Sequence, residues 1–564
     1  MTEKGGVLEK AAARADVGPK FWPGARIVLI LAMIAAVPSA MREGLAIRRQ
    51  AYQQTSSIRF TGDISNGYYW GRQADEQGLL WVYDNLESQI GPDGFYELDY
   101  APLRLTVVEW WYETAQKTFP GIRDWEDNYE LTRPMLRLNI AAEIASSALI
   151  FLLIRLWTVR MDNARRLPMR GVAQGIAGAM LFWFNPAMIW DDHCWPQWDV
   201  WLVPFFLAAV LLASCEWWFA AGICVVMGAF LKGQILLVTP IFIFWPLFQG
   251  KFASVLRFAA GFVLAAAIIA LPWMHLMTPA WFWLVRTSVA IAILTAIAFI
   301  SRVSWKWIPS ATVAACIIAW PAHGAADLGT RAWIIPLIAA VAAVRLLPGR
   351  LRYVWAALVI GICVFLTIPF FGVSTAWFTI GFEFGTKKFP MIVQEAVNNV
   401  PRLMQMTFRS DLDMDDPVPI PLLGKTVLPF GQFMQLAYLA SLVLCGFGAV
   451  IQARRRDTRF LMAFVTPWLF MFLLLPQMNC RYLIWAAAMT ALLPGVDWGV
   501  TLLGILISLI AWAQMAERML MNYSWSNRDT LRMLEETEPQ FTWMLLLIAI
   551  IFLYVMLAPR PQPK

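Results

Sequence analysis

The sequence predicts an all-α, polytopic integral membrane protein, and three observations predict it. The 564 residues are 59% hydrophobic and 15% charged, with a mean hydropathy of +0.57; that balance excludes an ordinary soluble domain. Apolar runs recur from Ala25 to Leu557, each at or near the ~20 residues that a helix needs to cross a bilayer. They number roughly 14–16, several joined by very short turns. Basic residues also gather in alternate connections: Arg160, Arg165, Arg166 and Arg170; Lys251 and Arg257; Arg302 and Lys306; Arg345, Arg350 and Arg352; Arg454, Arg455 and Arg456; Arg560 and Lys564.

The positive-inside rule places those clusters, with the tail 1–25, in the cytoplasm. Every other connection then falls outside: the loop 42–135, the segment 187–199, the turn near Lys232, the turns 272–280 and 321–331, the loop 371–430, the turn 476–481 and the loop 516–540. A net charge of +7 and a pI near 9.0 are accounted for by this topology. They call for membrane lipids as partners and no nucleic acid. The tail carries Lys4, Lys10, Arg14 and Lys20 without a cleavable-signal pattern, so the first apolar run reads as an anchor.

The first outer loop is structured. In "APLRLTVVEWWYETAQK", Leu103, Val107, Trp110 and Trp111 share one helical face, with Arg104, Glu113 and Lys117 elsewhere. The pattern predicts an amphipathic helix lying in the membrane interface. The segment 387–410 repeats it with Phe389, Ile392, Ala396, Val400 and Leu403. The 30 Trp are expected in interfacial belts and in the core, with some at the outer surface free to stack on sugar rings. No fixed-period repeat is present. The seven cysteines are scattered singly, and only Cys194 and Cys480 fall in loops, which leaves a disulfide between those two open.

Polar groups at the hydrocarbon boundary are costly and mark candidate sites. Four clusters map to the outer side: Asp63, Asp75 and Asp99 in the first loop; Asp191, Asp192, His193, Gln197 and Asp199 in "FNPAMIWDDHCWPQWDVW"; Lys232 and Gln234 in "AFLKGQILL"; Gln477, Asn479 and Arg481 in "LPQMNCRYLIW". Convergence on one face argues for one shared cleft. Against this, an Asp in a long loop is usually just solvated, Lys232 could snorkel to the interface, and Arg481 could anchor lipid headgroups. His193, His275 and His323 have no zinc-ligand spacing. The run Asp411, Asp413, Asp415 and Asp416 lacks the glycine and glutamate of a calcium loop and reads as solvated.

In order, "GDISNGYYW", "DYAPL", "NPAMIWDDHCWPQWD", "LKGQ" and "MNCRYL" resemble five motifs of the C-superfamily polytopic glycosyltransferases that use polyprenyl-phosphate sugars. The nearest members are the dolichyl-phosphate-glucose glucosyltransferases of N-glycan precursor assembly and their bacterial relatives. The likeness covers roughly residues 60–485. It departs where the family's His-Glu is Asn479-Cys480, where a second His is Trp195 and where a Pro is Ala101, positions that bear on donor contacts and hence on the sugar.

The resemblance implies a glycosyltransferase-C-like bundle over 26–500, followed by C-terminal helices over 501–564. It implies inverting hexosyl transfer from a polyprenyl-phosphate sugar donor to a lipid-linked or other glycan acceptor, at the outer face of a bacterial plasma membrane in preference to the endoplasmic reticulum. Asp63 matches the family's base, with Asp99 second. Asp192, His193, Gln197, Asp199, Lys232, Gln234, Asn479 and Arg481 would bind substrate, Lys232 and Arg481 holding the phosphate. No nucleotide-binding motif is seen, and the scheme calls for no cofactor and no metal. The rival readings are a lipid-linked glycan flippase or transporter, which expects charges at the bilayer midplane, and an outer-face ligase or acyltransferase.

Overall fold

The computed structural model describes residues 23–85, 98, 100–161, 171–270, 376–384, 397–407, 412–419, 427–521 and 528–559. These are almost wholly helical. The one β element among them is an antiparallel pairing of Pro417–Pro419 with Val427–Pro429. Among the described residues, seven helices are long and apolar enough to cross a membrane: Ile27–Gln54, Tyr129–Arg160, Val172–Cys194, Phe252–Ala270, Phe430–Arg455, Trp498–Met521 and Pro539–Leu557. Four shorter apolar stretches, Asp199–Ser214, Trp218–Leu231, Ile235–Phe248 and Thr458–Leu474, lie beside them. The expectation of an all-α polytopic protein is met. The further spans expected over 271–375 lie outside the described residues.

In chain order the first six principal helices are α1 (Pro23–Gln54), α2 (Gly62–Gln77), α3 (Pro102–Thr118), α4 (Tyr129–Met161), α5 (Val172–Trp183) and α6 (Val203–Ser214). The rest of the frame is α7 (Trp218–Leu231), α8 (Ile241–Phe248), α9 (Phe252–Ala270), α10 (Phe430–Arg455), α11 (Met462–Leu474), α12 (Leu483–Met489), α13 (Trp498–Met521) and α14 (Arg528–Leu557). Several apolar runs are broken. A turn at Lys232–Gln234 follows α7, and Pro240 separates the short helix Ile235–Val238 from α8. Beyond α11 the chain reverses at Gln477, whose φ of +62° is left-handed, a conformation rare for a residue with a side chain.

Glycines set the close crossings. A Cβ on Gly222 of α7 would lie 2.2 Å from the Phe258 carbonyl oxygen of α9, and one on Gly261 of α9 would lie 2.0 Å from that of Phe219. The two backbones therefore touch through reciprocal small residues, the close approach that helices use in membranes. Gly71 of α2 likewise meets the Val108 carbonyl of α3.

That second crossing corrects the interfacial assignment of α3. Leu103, Val107 and Trp111 are buried as the pattern requires, but Trp110 is exposed, and Arg104 and Glu109 are buried instead. The helix is covered by α2 and packs on α4 and α7, so it is a core element. Helical periodicity found the face but could not assign what covers it. In the neighbouring case, Val400–Thr407 is helical, while 387–396 lies outside the described residues.

Tryptophan occupies both expected environments. Trp111, Trp183, Trp198, Trp218, Trp468 and Trp485 are fully buried, whereas Trp498 and Trp543 are exposed.

The bundle has two distinct ends. At one, Arg160 donates to the Ser214 carbonyl at 2.7 Å, Lys251 pairs with Glu216 at 2.7 Å, and Arg459 donates to the Ala558 carbonyl at 3.0 Å. This end gathers the described basic connections. The other gathers the polar turns around Asp63, Asp199, Lys232 and Arg481.

Candidate functional site

Arg481 is the hub. Asn479 caps the turn Cys480–Tyr482 by accepting from the Arg481 amide at 3.2 Å. The guanidinium then points from that turn into the bundle. Its Nη1 donates to Asp63 Oδ2 at 2.5 Å, and its Nε lies 3.7 Å from Asp199 Oδ2. Asp199 in turn accepts from Lys232 Nζ. Four charges from four separate stretches thus form one chain: carboxylate, guanidinium, carboxylate, ammonium.

Local structure aims each of them. Asp63 stands in the first turn of α2, where an acid faces the positive end of the helix dipole. Asp199 opens a 3-10 turn into α6, and its backbone carbonyl accepts from Trp485 Nε1 at 3.0 Å. Lys232 ends α7, with Nζ 5.3 Å from the ring centres of both Tyr482 and Trp485. Aromatic faces shield a cation from water and attract it. Behind them Arg104 is sandwiched between Tyr100 and Trp198, 3.5 and 3.4 Å from the ring centres.

Burial divides the cluster. Asp199 and Lys232 are 0% and 4% exposed at the side chain and Arg481 9%, but Asp63 keeps 30%. Asp63 is thus the rim of the cluster. Burial works against its charge, yet the Arg481 guanidinium, with Lys232 and Arg104 behind it, holds its pKa below the usual carboxylate value. For Lys232, burial is the larger influence. It outweighs Asp199, and with Arg481 and Arg104 adding like-charge repulsion the pKa is pushed down to about 8. Arg481 is held above its ordinary value: burial opposes this, but Asp63 and Asp199 overcome it.

The other expected residues fall elsewhere. His193 and Asp192 belong to a π-helical turn, Trp190–Cys194. His193 Nε2 is 3.2 Å from Glu143 Oε1, and the other oxygen of Glu143 accepts from Arg48 Nε at 2.6 Å. His193 therefore links α1, α4 and the turn. Gln197 and Asp192 are held by their backbones, whose carbonyls accept from Asn139 Nδ2 at 2.7 and 2.9 Å. Gln234 is half-buried at the start of the short helix after the Lys232 turn. Asp99 lies outside the described residues, as do His275 and His323.

No disulfide joins the described cysteines, Cys194 and Cys480 among them. No group of three or more His, Cys, Asp or Glu residues among the described residues could hold a metal ion. The acidic run is locally engaged: Asp413 and Asp416 cap backbone amides of their own turn at 2.7 Å.

Sequence reasoning missed Arg48, Asn139, Glu143 and Arg104. A signal was present for Glu143, since an acid inside an apolar run is a default site candidate, although it lies within a span and not at a connection. Trp195 and Tyr482 also border the cluster, with the Arg481 guanidinium carbon 5.7 and 6.0 Å from their rings.

The fold and this cluster define an all-α polytopic membrane protein with a buried charge relay opening at one end of its helical bundle. No family model matches the sequence, and no curated protein is significantly similar to it.

Proposed function

We propose that this protein is a membrane glycosyltransferase that moves a hexosyl group from a polyprenyl-phosphate donor to a lipid-linked or other glycan acceptor, with inversion. One observation carries the reading. A single partly exposed carboxylate, Asp63, stands against two buried cations, Arg481 and Lys232, supplied by remote parts of the chain. Such an arrangement can hold a proton acceptor and a developing phosphate charge within one site.

In the scheme, the acceptor hydroxyl loses its proton to Asp63 as its oxygen attacks the anomeric carbon. The bond from that carbon to the phosphate oxygen breaks, and the electron pair leaves with the lipid phosphate. Arg481 and Lys232 stabilise that charge; Arg481 offers a planar fork and Lys232 a point charge. At rest Arg481 occupies Asp63 and depresses its basicity. A donor phosphate that drew Arg481 toward itself would return Asp63 to a more basic state when it is needed. The outward orientation and the bacterial plasma membrane belong to this same proposal.

The test is transfer in reconstituted vesicles from polyprenyl-phosphate glucose, mannose, galactose and arabinose. Asp63→Asn should abolish transfer, by at least the ~10²–10⁴-fold of general-base removal, with the protein still folded. Near-normal turnover by that variant would overturn the assignment of Asp63. Absence of transfer from every donor by the intact protein would overturn the class.

A further inference from the structure

Asn139 of α4 belongs to none of the motif stretches, lies in a membrane-length helix and is fully buried. An amide there is costly unless it is bonded. This one makes three of the four hydrogen bonds open to it. Its Nδ2 donates to the Asp192 and Gln197 carbonyls at 2.9 and 2.7 Å, and its Oδ1 accepts from Trp201 Nε1 at 2.6 Å. Backbone carbonyls only accept and an indole N–H only donates, so the amide fits one way round.

These bonds bracket Asp199. Between the π-helical turn Trp190–Cys194 and the 3-10 turn Asp199–Leu202 the chain is irregular. Buried irregular backbone has no regular ladder to take up its carbonyls. Asn139 grips this stretch two residues before Asp199, at Gln197, and two residues after it, at Trp201. From α12, Trp485 Nε1 donates to the Asp199 carbonyl at 3.0 Å. The Asp199 backbone is therefore held between α4 and α12, and this sets the point from which its carboxylate reaches. Oδ1 accepts from Lys232, while Oδ2 stops 3.7 Å from Arg481 Nε. That separation is an ion pair but too long for a hydrogen bond. Among the described residues, neither Oδ2 nor Nε has a hydrogen-bond partner.

We infer that Asn139 is a positioning residue of the proposed transfer site. It acts through Asp199, placing the carboxylate so that it orients Lys232 and stops short of bonding Arg481 Nε, which stays available to a phosphate. The inference rests on the glycosyl-transfer reading and adds to it a residue that touches no reacting group. Charges fixed in advance are what such a site needs, since a small misplacement is costly. An amide that merely held the chain together would leave the neighbouring charges as they are. A positioning amide alters them. Asp199, Arg481 and Arg104 all act on Lys232, and Asp199 alone of the three supports its charge. Loosening Asp199 therefore makes Lys232 easier to deprotonate.

The experiment uses the full-length protein in nanodiscs and begins without substrate. Unfolding is followed from about pH 6 to about pH 10 for wild type, Asn139→Leu, Trp201→Phe and Ser146→Ala, and the Lys232→Met profile is subtracted to isolate that one group. Ser146→Ala is the control: Ser146 is also buried on α4, but its hydroxyl bonds only the Ala142 carbonyl of its own helix. Lys232 titrates at about 8 in the folded protein, below the unfolded value of about 10.4, so its contribution to stability rises with pH between the two. In Asn139→Leu the start of that rise should move about one pH unit lower. Trp201→Phe, which keeps both carbonyl bonds, should move it the same way by less. Ser146→Ala should leave it in place. In transfer assays, Asn139→Leu should raise the donor KM about tenfold with the acceptor KM unchanged. An unmoved titration in Asn139→Leu overturns the inference, as does an equal shift in Ser146→Ala. Where Asn139→Leu does not fold, Trp201→Phe decides by the same criterion. A shifted titration without turnover from any donor defeats the transfer reading and leaves the clamp on Asp199 standing; turnover with an unmoved titration does the reverse.

Discussion

The Lys232–Asp199 pair allows the charge relay to be tested without any substrate. Both side chains are nearly free of solvent, so removing one strands the other. Breaking such a buried pair costs about 3–5 kcal/mol. Lys232→Met leaves Asp199 with only the long 3.7 Å approach of Arg481. Asp199→Leu leaves Lys232 with no hydrogen-bonded carboxylate and Arg481 with Asp63 as its one ion-pair partner. Each single variant should lose roughly 3–5 kcal/mol. The double variant Lys232→Met/Asp199→Leu buries no stranded charge, and should recover all but about 1 kcal/mol. The outer pair gives the internal control: because Asp63 is 30% exposed, Asp63→Asn should cost only about 1 kcal/mol through solvent screening. The assay is equilibrium unfolding of the purified protein in mixed micelles, followed by tryptophan fluorescence. Single variants that each lose under ~1 kcal/mol, or a double variant no more stable than the worse single, would refute the buried relay. Under the glycosyl-transfer proposal, the double variant should be stable and inactive.

Three more expectations follow from the same geometry. Because the Lys232 pKa is pushed down to about 8 by burial, transfer should fall as pH rises through 8, while this group's contribution to stability rises from there toward the unfolded lysine value of about 10.4; a rate flat to pH 10 would remove Lys232 from phosphate binding. Arg481→Ala should raise the Asp63 pKa and move the acid limb of the rate profile to higher pH, and the stability that wild type loses as pH falls through its lowered Asp63 pKa should already be missing; Arg481→Lys should keep part of the activity, and unchanged donor affinity in the alanine variant would return Arg481 to a headgroup role. Gly261→Val drives a side chain into the Phe219 carbonyl and should cost about 3 kcal/mol or more by urea or detergent unfolding, against about 1 kcal/mol for Gly250→Ala, whose φ of +73° is strained but whose surroundings are open; equal costs would deny the α7–α9 contact.

How far the sequence could be read depended on where a residue's partner sat. Asp63 and Arg481 are 418 residues apart, yet both were legible because each interrupts an apolar run at a connection, and alternating basic loops assigned those connections to one side. Lys232 was legible as a candidate but not as buried. Snorkelling was open to it until Asp199 proved to be its partner. Arg104 defeated the binary pattern altogether: counted as a solvent-facing charge, it is stacked between Tyr100 and Trp198 inside the fold. Asn139 is a polar residue within an apolar helix, and periodicity says nothing about which backbone carbonyl such a residue will meet. Short broken helices were also beyond the pattern. Hydropathy registers the apolar run from Ile235 to Phe248 but not its break at Pro240.

Buried ion pairs alone do not establish a site, since a bundle can hold them for registry and at some expense to stability. The arrangement here has features that registry does not need. A structural pair is satisfied when both partners are dry and fully bonded, as Arg48 and Glu143 are: the carboxylate takes 2.6 Å from Arg48 and 3.2 Å from His193, and the guanidinium also donates to the Trp183 and Gly44 carbonyls. The upper relay is graded instead. Lys232 and Asp199 are dry, Arg481 is shared between a 2.5 Å and a 3.7 Å carboxylate, and Asp63 reaches the rim. Asp191 and Gln197 are also buried without a side-chain hydrogen bond. Arg48, Glu143 and His193 tie the turn Trp190–Cys194 to α1 and α4, although Asp191 of that turn is itself buried without a hydrogen bond. Registry alone needs no carboxylate at the rim of the upper relay; under the proposed transfer, Asp63 is the point at which an acceptor hydroxyl would meet it.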